Sequence, residues 1–400
     1  MNNAIDRWLN HVKVLADDIG PRGPTTEGED RGLEYCAQGL AELGLEVRED
    51  RFGSAGSVFR PHLVAAAGIL LAFAAYPTLP WLAAGLGWLV VVSEVLELTL
   101  RPNPLQWVLP RRPSRNVYAT IGPESGIQRD LILMGHVDSQ RTPKIFSTVR
   151  WLRAYRAFSS VAFASFCALA VVYSLGALYA WPWIWPASSL AAVCAVGLAL
   201  ICIEAELSPF TAGANDNATA AGLILTLAQE LRASPPKATR IWLVCTGCEE
   251  ALHEGARAFF RRHRGEMTAP RALVLEMLGC SGPAWLESEG IVLRVPSDPA
   301  LRGLAADIAA AHPELGAYPI RLEGGVTEMA DALAAGIPAI TIIGLTPDRL
   351  GPYWHLPTDT VDKLDRAAME RNYGFVRKMV AALGDGGSGQ PAGDRLGARP

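Results

Sequence analysis

Side chains of the kinds that bind metal ions recur in this sequence where buried strands are predicted to end. The stretch Ile241–Glu250 is an apolar, β-branched run that closes in a small-residue turn and two adjacent carboxylates. In α/β proteins the loops that follow buried parallel strands usually carry the chemistry. Five such places hold suitable groups: His136 with Asp138, Asp216 with Asn217, Glu249 with Glu250, Glu276, and His355.

Together these residues could hold two metal ions. Neutral imidazole and carboxylate are the usual ligands of hydrolytic zinc, and two ions ~3.5–4 Å apart need a bridging carboxylate with further ligands on each side. Each residue alone has a simpler explanation. His136 could be a hydrogen-bonded core histidine, Asp216 the N-cap of a helix, and Glu249 and Glu250 a solvated first turn. Their joint occurrence, in this order, favours a metal site.

The segments around these residues resemble the M28 family of zinc metallopeptidases, which are aminopeptidase-like. The matching segments are Gly20-Pro21-Arg22, Gly135–Asp138, Gly213–Ala218, Gly247–Glu250, Leu275–Gly279, and His355 followed by Asp359. They cover nearly all of the soluble sequence in the family's order. The resemblance implies an α/β fold with a mainly parallel or mixed sheet flanked by helices, two zinc ions and a peptide substrate.

The resemblance also implies a role for each residue. His136 and Glu276 would bind one zinc ion, Glu250 and His355 the other, and Asp216 would bridge the two. Glu249 would be the general base that passes a proton from the attacking water to the leaving amine. Asp138 would orient His136 through its far ring nitrogen. Members of the family often have a non-proline cis peptide at the position of Asp216-Asn217.

Two positions depart from the family's pattern. The position of Glu276 is usually Asp, and Glu is one methylene longer but is still a zinc ligand. Where relatives often have a Ser-Asp pair, this chain has Thr327 and Glu328. These two residues either shape a different substrate pocket, or Glu328 is a solvated residue at a helix start.

Charge and cysteine content exclude some classes of function. The net charge of −4 over 400 residues gives no electrostatic reason to expect a nucleic-acid partner. The seven cysteines are scattered and suggest no disulfide framework.

Apolar residues make up 50% of the chain and concentrate in two zones, which are residues 61–100 and 157–207. The polar N-terminus lacks the apolar core of a signal peptide.

The two apolar zones predict two helical hairpins, which makes four membrane helices. The helices of the first zone are near the short end of the ~17–25 residues that span a bilayer, so a buried core hairpin is the alternative there. In the second zone Trp181–Pro186 fits an interfacial aromatic belt. Arginines flank both hairpins on the soluble side: Arg60, Arg101, Arg111, Arg112, Arg115, Arg150, Arg153 and Arg156. The positive-inside rule then predicts a multi-pass protein with a cytoplasmic catalytic domain.

Outside the hairpins, predicted strands and helices alternate. This order indicates a mainly parallel sheet that is covered on both faces. We expect residues 1–60, 101–156 and 208–385 to form one peptidase domain, and residues 386–400 to be a disordered tail.

The sequence therefore predicts a membrane-anchored, zinc-dependent peptidase that acts as an exopeptidase. A catalytically silent membrane scaffold with the same fold is one alternative, but it would have no need to keep Glu249 with the full ligand set. A single-zinc acyltransferase such as a cyclotransferase is another, and it would tend to leave one metal site vacant.

Overall fold

A nine-stranded mixed sheet organises the soluble part of the protein. The computed structural model describes residues 2–99, 101, 103–348 and 351–384, so the predicted tail 386–400 lies outside it. The strands are β1 Val47–Ser54, β2 Arg112–Ile121, β3 Arg129–His136, β4 Thr239–Thr246, β5 Arg271–Glu276, β6 Ala284–Glu289, β7 Val295–Pro296, β8 Tyr318–Arg321 and β9 Ala339–Ile343. Their order is β1-β2-β4-β3-β5-β9-β6-β7, with β8 paired to β6.

The four central strands β4, β3, β5 and β9 are parallel, so their carboxyl ends lie at one edge. Nearly every residue in them is buried, which explains their continuous apolar sequences. Strand β2 runs antiparallel to β4. Its start, and the end of β1 beside it, therefore lie at this same edge. We call it the site edge.

Helices cover both faces of the sheet. The α-helices of the described residues, including those that lie away from the sheet, are α1 Asn2–Lys13, α2 Glu27–Glu42, α3 Phe59–Ala75, α4 Pro80–Leu98, α5 Val149–Tyr179, α6 Ile184–Ala187, α7 Ser189–Leu207, α8 Thr219–Ala233, α9 Glu254–His263, α10 Pro299–Ala311, α11 Met329–Ala334 and α12 Arg366–Gly384. One apolar core joins α1, α2, α8 and α12 to the sheet, and a second joins α9 and α11 to its other face. The predicted α/β class is confirmed.

Helices α3, α4, α5 and α7 form a separate bundle with its own apolar core. Among the described residues, three helices are long and apolar enough to cross a membrane: α4, α5 and α7. Helix α3 is apolar but has only 17 residues. Of the four membrane helices predicted, three therefore meet the length requirement.

Helix α5 begins before the apolar zone that predicted it. It begins at Val149, eight residues before position 157, and has 31 residues. The Thr148 side chain caps it by accepting a hydrogen bond from the Trp151 amide at 3.1 Å. The first two turns therefore project beyond the apolar span on the soluble side.

Candidate active site

Five segments bring the predicted ligands together at the site edge. His136 is the last residue of β3, Glu276 is the last of β5, and Glu250 lies in the turn after β4. Asp216 precedes α8, and His355 comes from the loop after β9. Every one of these residues is less than a tenth exposed. The fold thus gathers side chains that lie as far as 219 positions apart in the sequence.

The carboxylate of Asp216 divides these side chains into two groups. Its Oδ1 lies 3.4 Å from His136 Nε2, which is itself 3.5 Å from Glu276 Oε1. Its Oδ2 lies 3.4 Å from His355 Nε2, which is 3.2 Å from Glu250 Oε1. Each group contains one imidazole nitrogen and two carboxylate oxygens. Asp216 alone belongs to both.

These separations fit zinc ligands better than hydrogen bonds. Two ligand atoms ~2.0–2.1 Å from a tetrahedral zinc ion lie about 3.3 Å apart, whereas most N–H···O bonds measure ~2.7–3.2 Å. Glu250 Oε1 is buried and makes no hydrogen bond, although it lies 3.2 Å from His355 Nε2. A buried carboxylate oxygen without a partner is costly unless a cation compensates it. The donor set therefore fits zinc.

The position of Asp216 is fixed by its surroundings. The Asp359 carboxylate accepts hydrogen bonds from the amides of Asn215 at 2.7 Å and Asp216 at 3.0 Å. The peptide bond between Asp216 and Asn217 is cis, as the resemblance implied. Asp216 and Asn217 have non-helical backbone angles, so α8 begins only at Thr219.

The Gly-Pro-Arg segment holds the neighbouring loops. Arg22 is fully buried, and its guanidinium donates to the carbonyl oxygens of Val137, Ala212 and Gly213 at 2.7–2.8 Å. These oxygens belong to the loop after His136 and the loop before Asp216. Arg22 thereby connects the backbones that carry two ligands of the first group.

A sequence model described as Peptidase family M28 matches residues 196–380. This segment contains Asp216, Glu249, Glu250, Glu276 and His355. Residues 196–380 form an M28 peptidase domain. No curated protein matches the sequence.

Solved structures share the fold at low sequence identity. A zinc aminopeptidase from Bacillus subtilis is 13% identical, with a TM-score of 0.57 over 95% of both chains. A leucine aminopeptidase precursor from Bacteroides thetaiotaomicron is 15% identical, with a TM-score of 0.55 over 94% of this chain and 96% of the other. A glutaminyl cyclase from Tannerella forsythia is 16% identical, with a TM-score of 0.56 over 94% and 97%. The M28 fold thus serves both peptidases and cyclases.

Asp138 supports the candidate site in two ways. His136 Nδ1 lies 3.0 Å from the main-chain oxygen of Asp138 and 3.6 Å from its carboxylate, so the closer partner is the main chain. The Asp138 carboxylate accepts hydrogen bonds from the amides of Glu249 at 3.1 Å and Glu250 at 2.9 Å. Asp138 thus orients the imidazole and fixes the turn that carries both glutamates.

Sequence analysis missed a histidine that contacts Glu249. His253 Nε2 lies 3.1 Å from Glu249 Oε1, and its Nδ1 lies 2.8 Å from Asp331 Oδ2. All three side chains are buried. The spacing of four residues between Glu249 and His253 was a local signal of this contact, but Asp331 reaches it only through the packing of α11 on α9.

Glu276, at a position where the resembled family usually has Asp, contacts both a histidine and an asparagine of the site. Its Oε1 faces His136 at 3.5 Å, while its Oε2 accepts a hydrogen bond from Asn217 Nδ2 at 3.0 Å. Gln140, which sequence analysis also missed, donates from Nε2 to Glu250 Oε2 at 2.8 Å. In both Glu276 and Glu250, one carboxylate oxygen therefore accepts a hydrogen bond from a side-chain amide, and the other faces an imidazole.

Glu328 is not a solvated helix-start residue, because it is fully buried. Its Oε1 accepts a hydrogen bond from the Thr246 hydroxyl, and its Oε2 has no partner among the described residues. Burial raises the pKa of Glu328 to about 8. Burial therefore favours the neutral, protonated form of this carboxyl.

The electrostatics of the site reflect crowded carboxylates. Burial raises the pKa of Glu276 well above its ordinary value and that of Glu250 to about 7. Burial alone would lower the pKa of His355, but the Glu250 and Asp216 carboxylates outweigh it and raise the pKa to about 10. Four acidic residues and two imidazoles thus share a small buried volume. Bound cations would offset the negative charge.

The segment just before α5 lies against this site. The Phe146 ring packs edge-on against the His355 ring, with centroids 4.7 Å apart. Trp354 covers His355 from another side at 4.1 Å. Two turns into α5, Arg156 donates to the main-chain oxygen of Glu323 at 3.1 Å. The segment that leads into α5 therefore contacts the site beside a candidate ligand, and α5 itself contacts the loop before Glu328.

Proposed function

We propose that this protein is a membrane-anchored zinc peptidase, an aminopeptidase that uses two metal ions and Glu249. The division of the Asp216 oxygens between two imidazole–carboxylate groups is the observation that carries the proposal. His136 and Glu276 would hold one ion with Asp216, and Glu250 and His355 the other. When bound, the ions would polarise the scissile carbonyl and acidify the attacking water.

Glu249 is the proposed general base. Its carboxylate contacts His253 and lies 3.8 Å from His136 Nε2, which places it beside the first group. Glu249 would take a proton from the attacking water and deliver it to the leaving amine. His253 would hold one carboxylate oxygen, so that the other faces the substrate.

A cyclotransferase is the second candidate. Glutaminyl cyclases share the fold. Among the described residues, one group of three side chains could hold a single metal ion. His136, Asp216 and Glu250 offer ligand atoms that all lie within 4.8 Å of one another. A single ion there would fit a one-metal acyl transfer, in which Glu249 would move a proton between the nucleophilic and leaving amines.

The membrane part of the proposal rests on α4, α5 and α7. We propose that residues 61–100 and 157–207 are inserted hairpins, and that residues 1–60, 101–156 and 208–385 together form the peptidase domain. The flanking arginines favour the cytoplasmic side for that domain. Both hairpins join the sheet at the site edge, so the site would face the bilayer surface.

Product analysis with Glu249→Gln tests the proposed function. Detergent-purified protein is incubated with zinc and two peptides, one with N-terminal leucine and one with N-terminal glutamine, and the products are identified by mass spectrometry. We expect release of the free N-terminal residue, and a fall in kcat of about 10²–10⁴-fold in the variant. Loss of ammonia from the glutaminyl peptide without hydrolysis would favour the cyclotransferase. No turnover of either peptide would favour a silent scaffold.

A further inference from the structure

The turn between β6 and β7 exposes three consecutive large aliphatic side chains. Ile291, Val292 and Leu293 are 46%, 64% and 62% exposed. Among the described residues outside the bundle helices, this is the longest run of exposed large apolar side chains. Such a run is unfavourable in water and marks a surface that contacts an apolar phase or a partner. We call it the apolar turn.

Hydrogen bonds connect the apolar turn to the point where α5 enters the apolar span. The Gly290 amide donates to the Gly325 oxygen at 3.0 Å, and the Gly324 amide donates to the Gly290 oxygen at 2.9 Å. Arg156 donates to the Glu323 oxygen at 3.1 Å, next to Gly324. Arg156 is the last charged residue before the uncharged stretch of α5.

The contacts of Tyr155 show where Arg156 lies relative to the four-helix bundle. Tyr155 packs against the apolar core of the four-helix bundle, while Arg156 faces outward. The chain around Gly324 therefore lies at the boundary between the bundle and the soluble domain. The apolar turn begins one hydrogen-bonded residue away, at Gly290.

Basic side chains lie on both of the segments that these hydrogen bonds connect. Arg150 and Arg153 lie on the projecting turns of α5, and Arg294 follows Leu293 directly. All three are exposed, and residues 149–156 contain no acidic residue. An apolar tip with basic neighbours is complementary to an anionic lipid surface, where acyl chains lie beneath negative headgroups.

We propose that the apolar turn inserts into the bilayer, at the boundary between headgroups and acyl chains, in the leaflet through which α5 enters. The occupant of this surface is thus the membrane itself, with anionic headgroups bound by Arg150, Arg153 and Arg294. The proposal rests on the proposed membrane helices. It adds a second contact, which fixes how the M28 domain is oriented on the bilayer.

Depth measurement with a nitroxide label tests this inference. Full-length Val292→Cys protein is labelled, reconstituted into vesicles of phosphatidylcholine and phosphatidylglycerol, and compared with Ile127→Cys. Ile127 is similarly exposed, at 44%, but precedes β3 at the opposite edge of the sheet. We expect the ratio of oxygen to nickel-complex accessibility to be several-fold higher at 292 than at 127. The protein without added cysteine gives the background from its seven native thiols.

Three outcomes would contradict the inference. Equal water exposure at 292 and 127, in protein that alkaline carbonate fails to extract, would refute the insertion of the turn alone. Release of the protein by carbonate would refute the membrane helices, and the inserted turn with them. Spectral broadening from label–label contact at 292 would show that a second copy covers the turn. Leu293→Cys repeats the measurement if the Val292 variant unfolds.

Discussion

At the scale of single residues, the placement of Glu249 matters most for the proposed catalysis. Asp138 holds its amide and His253 holds one carboxylate oxygen, so both its backbone and its side chain are fixed. His253 is in turn held by Asp331, which Arg257 approaches at 3.6 Å. As the proposed general base, Glu249 would therefore be held in place for proton transfer.

Replacement of His253 should lower kcat more than it changes KM. Loss of a hydrogen bond to a charged group costs about 1.5–3 kcal/mol, so we expect His253→Ala to lower kcat by roughly 10–100-fold. Burial raises the pKa of Glu249, but His136 and His253 outweigh it and hold the pKa below its ordinary value. Without His253 that pKa rises, so the acidic limb of the pH–kcat profile should move to higher pH.

The control for this prediction is His312→Ala, at a partly exposed histidine that pairs with Glu314 outside the site. Steady-state kinetics across pH on both variants would check it. An unchanged acidic limb in His253→Ala, with metal content intact, would show that His253 has only a structural role.

Glu276→Gln should weaken one metal site and leave the other. Glu276 Oε1 faces His136, whereas Glu250 and His355 form the other group. We expect zinc content after dialysis to fall from about two ions per chain to about one, as measured by elemental analysis. Glu287→Gln, on the exposed surface of β6, is the matched control. Equal zinc content in Glu276→Gln and the unsubstituted protein would remove Glu276 from the proposed ligand set.

The candidate metal ligands could be predicted from the sequence, because each of them follows a recognisable buried strand or belongs to a family motif. His253 and Asp331 lie outside those motifs. Leu252 and His253, which lie between Glu249 and α9, have positive φ angles of 69° and 54°. No local pattern of side chains specifies that backbone geometry, so this contact required the structure.

At the scale of elements, Arg22 joins loops that are distant in sequence. It donates to five main-chain oxygens, which also include those of Leu15 and Gly20. Burial lowers its pKa to about 10, although carboxylates such as Asp359 act in the opposite direction. The guanidinium therefore stays protonated at neutral pH and keeps its donors.

Arg22→Lys should destabilise the domain by about 3 kcal/mol or more, since a lysine ammonium cannot reach every one of these oxygens and each buried unpaired group costs ~1–3 kcal/mol. Thermal unfolding in detergent would measure the effect, with Arg31→Lys on the exposed face of α2 as the control. A stability equal to that of the control would contradict the bridging role.

The pairing of β1 with α9 should depend on pH. Burial raises the pKa of Asp50, but hydrogen bonds from His263 and Arg262 outweigh it and leave the pKa lowered. Burial lowers the pKa of His263, but Asp50 and Glu266 outweigh it and leave the pKa raised. The stabilisation from Asp50 is lost as pH falls through its folded pKa. The stabilisation from His263 is complete below about pH 6.5, and it is lost as the pH rises through the pKa of His263 in the folded protein.

The melting temperature of His263→Gln should therefore lie furthest below that of the unsubstituted protein at about pH 5–6, between the ordinary pKa values of Asp and His. The difference should shrink toward pH 9. Scans of both proteins across this range would check the prediction. A difference that grows with pH would mean that His263 is neutral in the folded protein.

The long apolar strands and amphipathic helices were predictable because their burial patterns are continuous in the sequence. Strands β6, β7 and β8 were not predicted. They have six, two and four residues, and β6 mixes Trp285 and Leu286 with acidic residues that are held in place by distant partners. Glu289, for example, is buried because it accepts hydrogen bonds from Thr327.

At the scale of the whole molecule, both hairpins join the sheet at the site edge. The first leaves β1 and returns to β2, and the second leaves the loop after β3 and returns before Asp216. Polar side chains gather at the base of the bundle, where Arg60 pairs with Glu206 at 3.0 Å and connects α3 to α7. The insertions therefore add a bundle on one side without interrupting the central parallel strands.

The complete protein should remain in membranes after alkaline carbonate treatment, because α4, α5 and α7 are long and apolar enough to span the bilayer. A reporter fused after Pro400 should be active in the cytoplasm, since the arginines flank the hairpins on that side. Release by carbonate would contradict the anchoring, and an exported reporter signal would contradict the orientation alone.

The central claim is that Asp216 bridges two catalytic ions, and zinc titration of the metal-free protein tests it most directly. Peptidase activity is measured as zinc is added in known equivalents, and bound zinc is counted at each step. We predict two zinc ions per chain at saturation, with turnover abolished when either group is disrupted by Glu276→Gln or His355→Ala. Binding of a single ion, with full activity reached at one equivalent, would contradict the account.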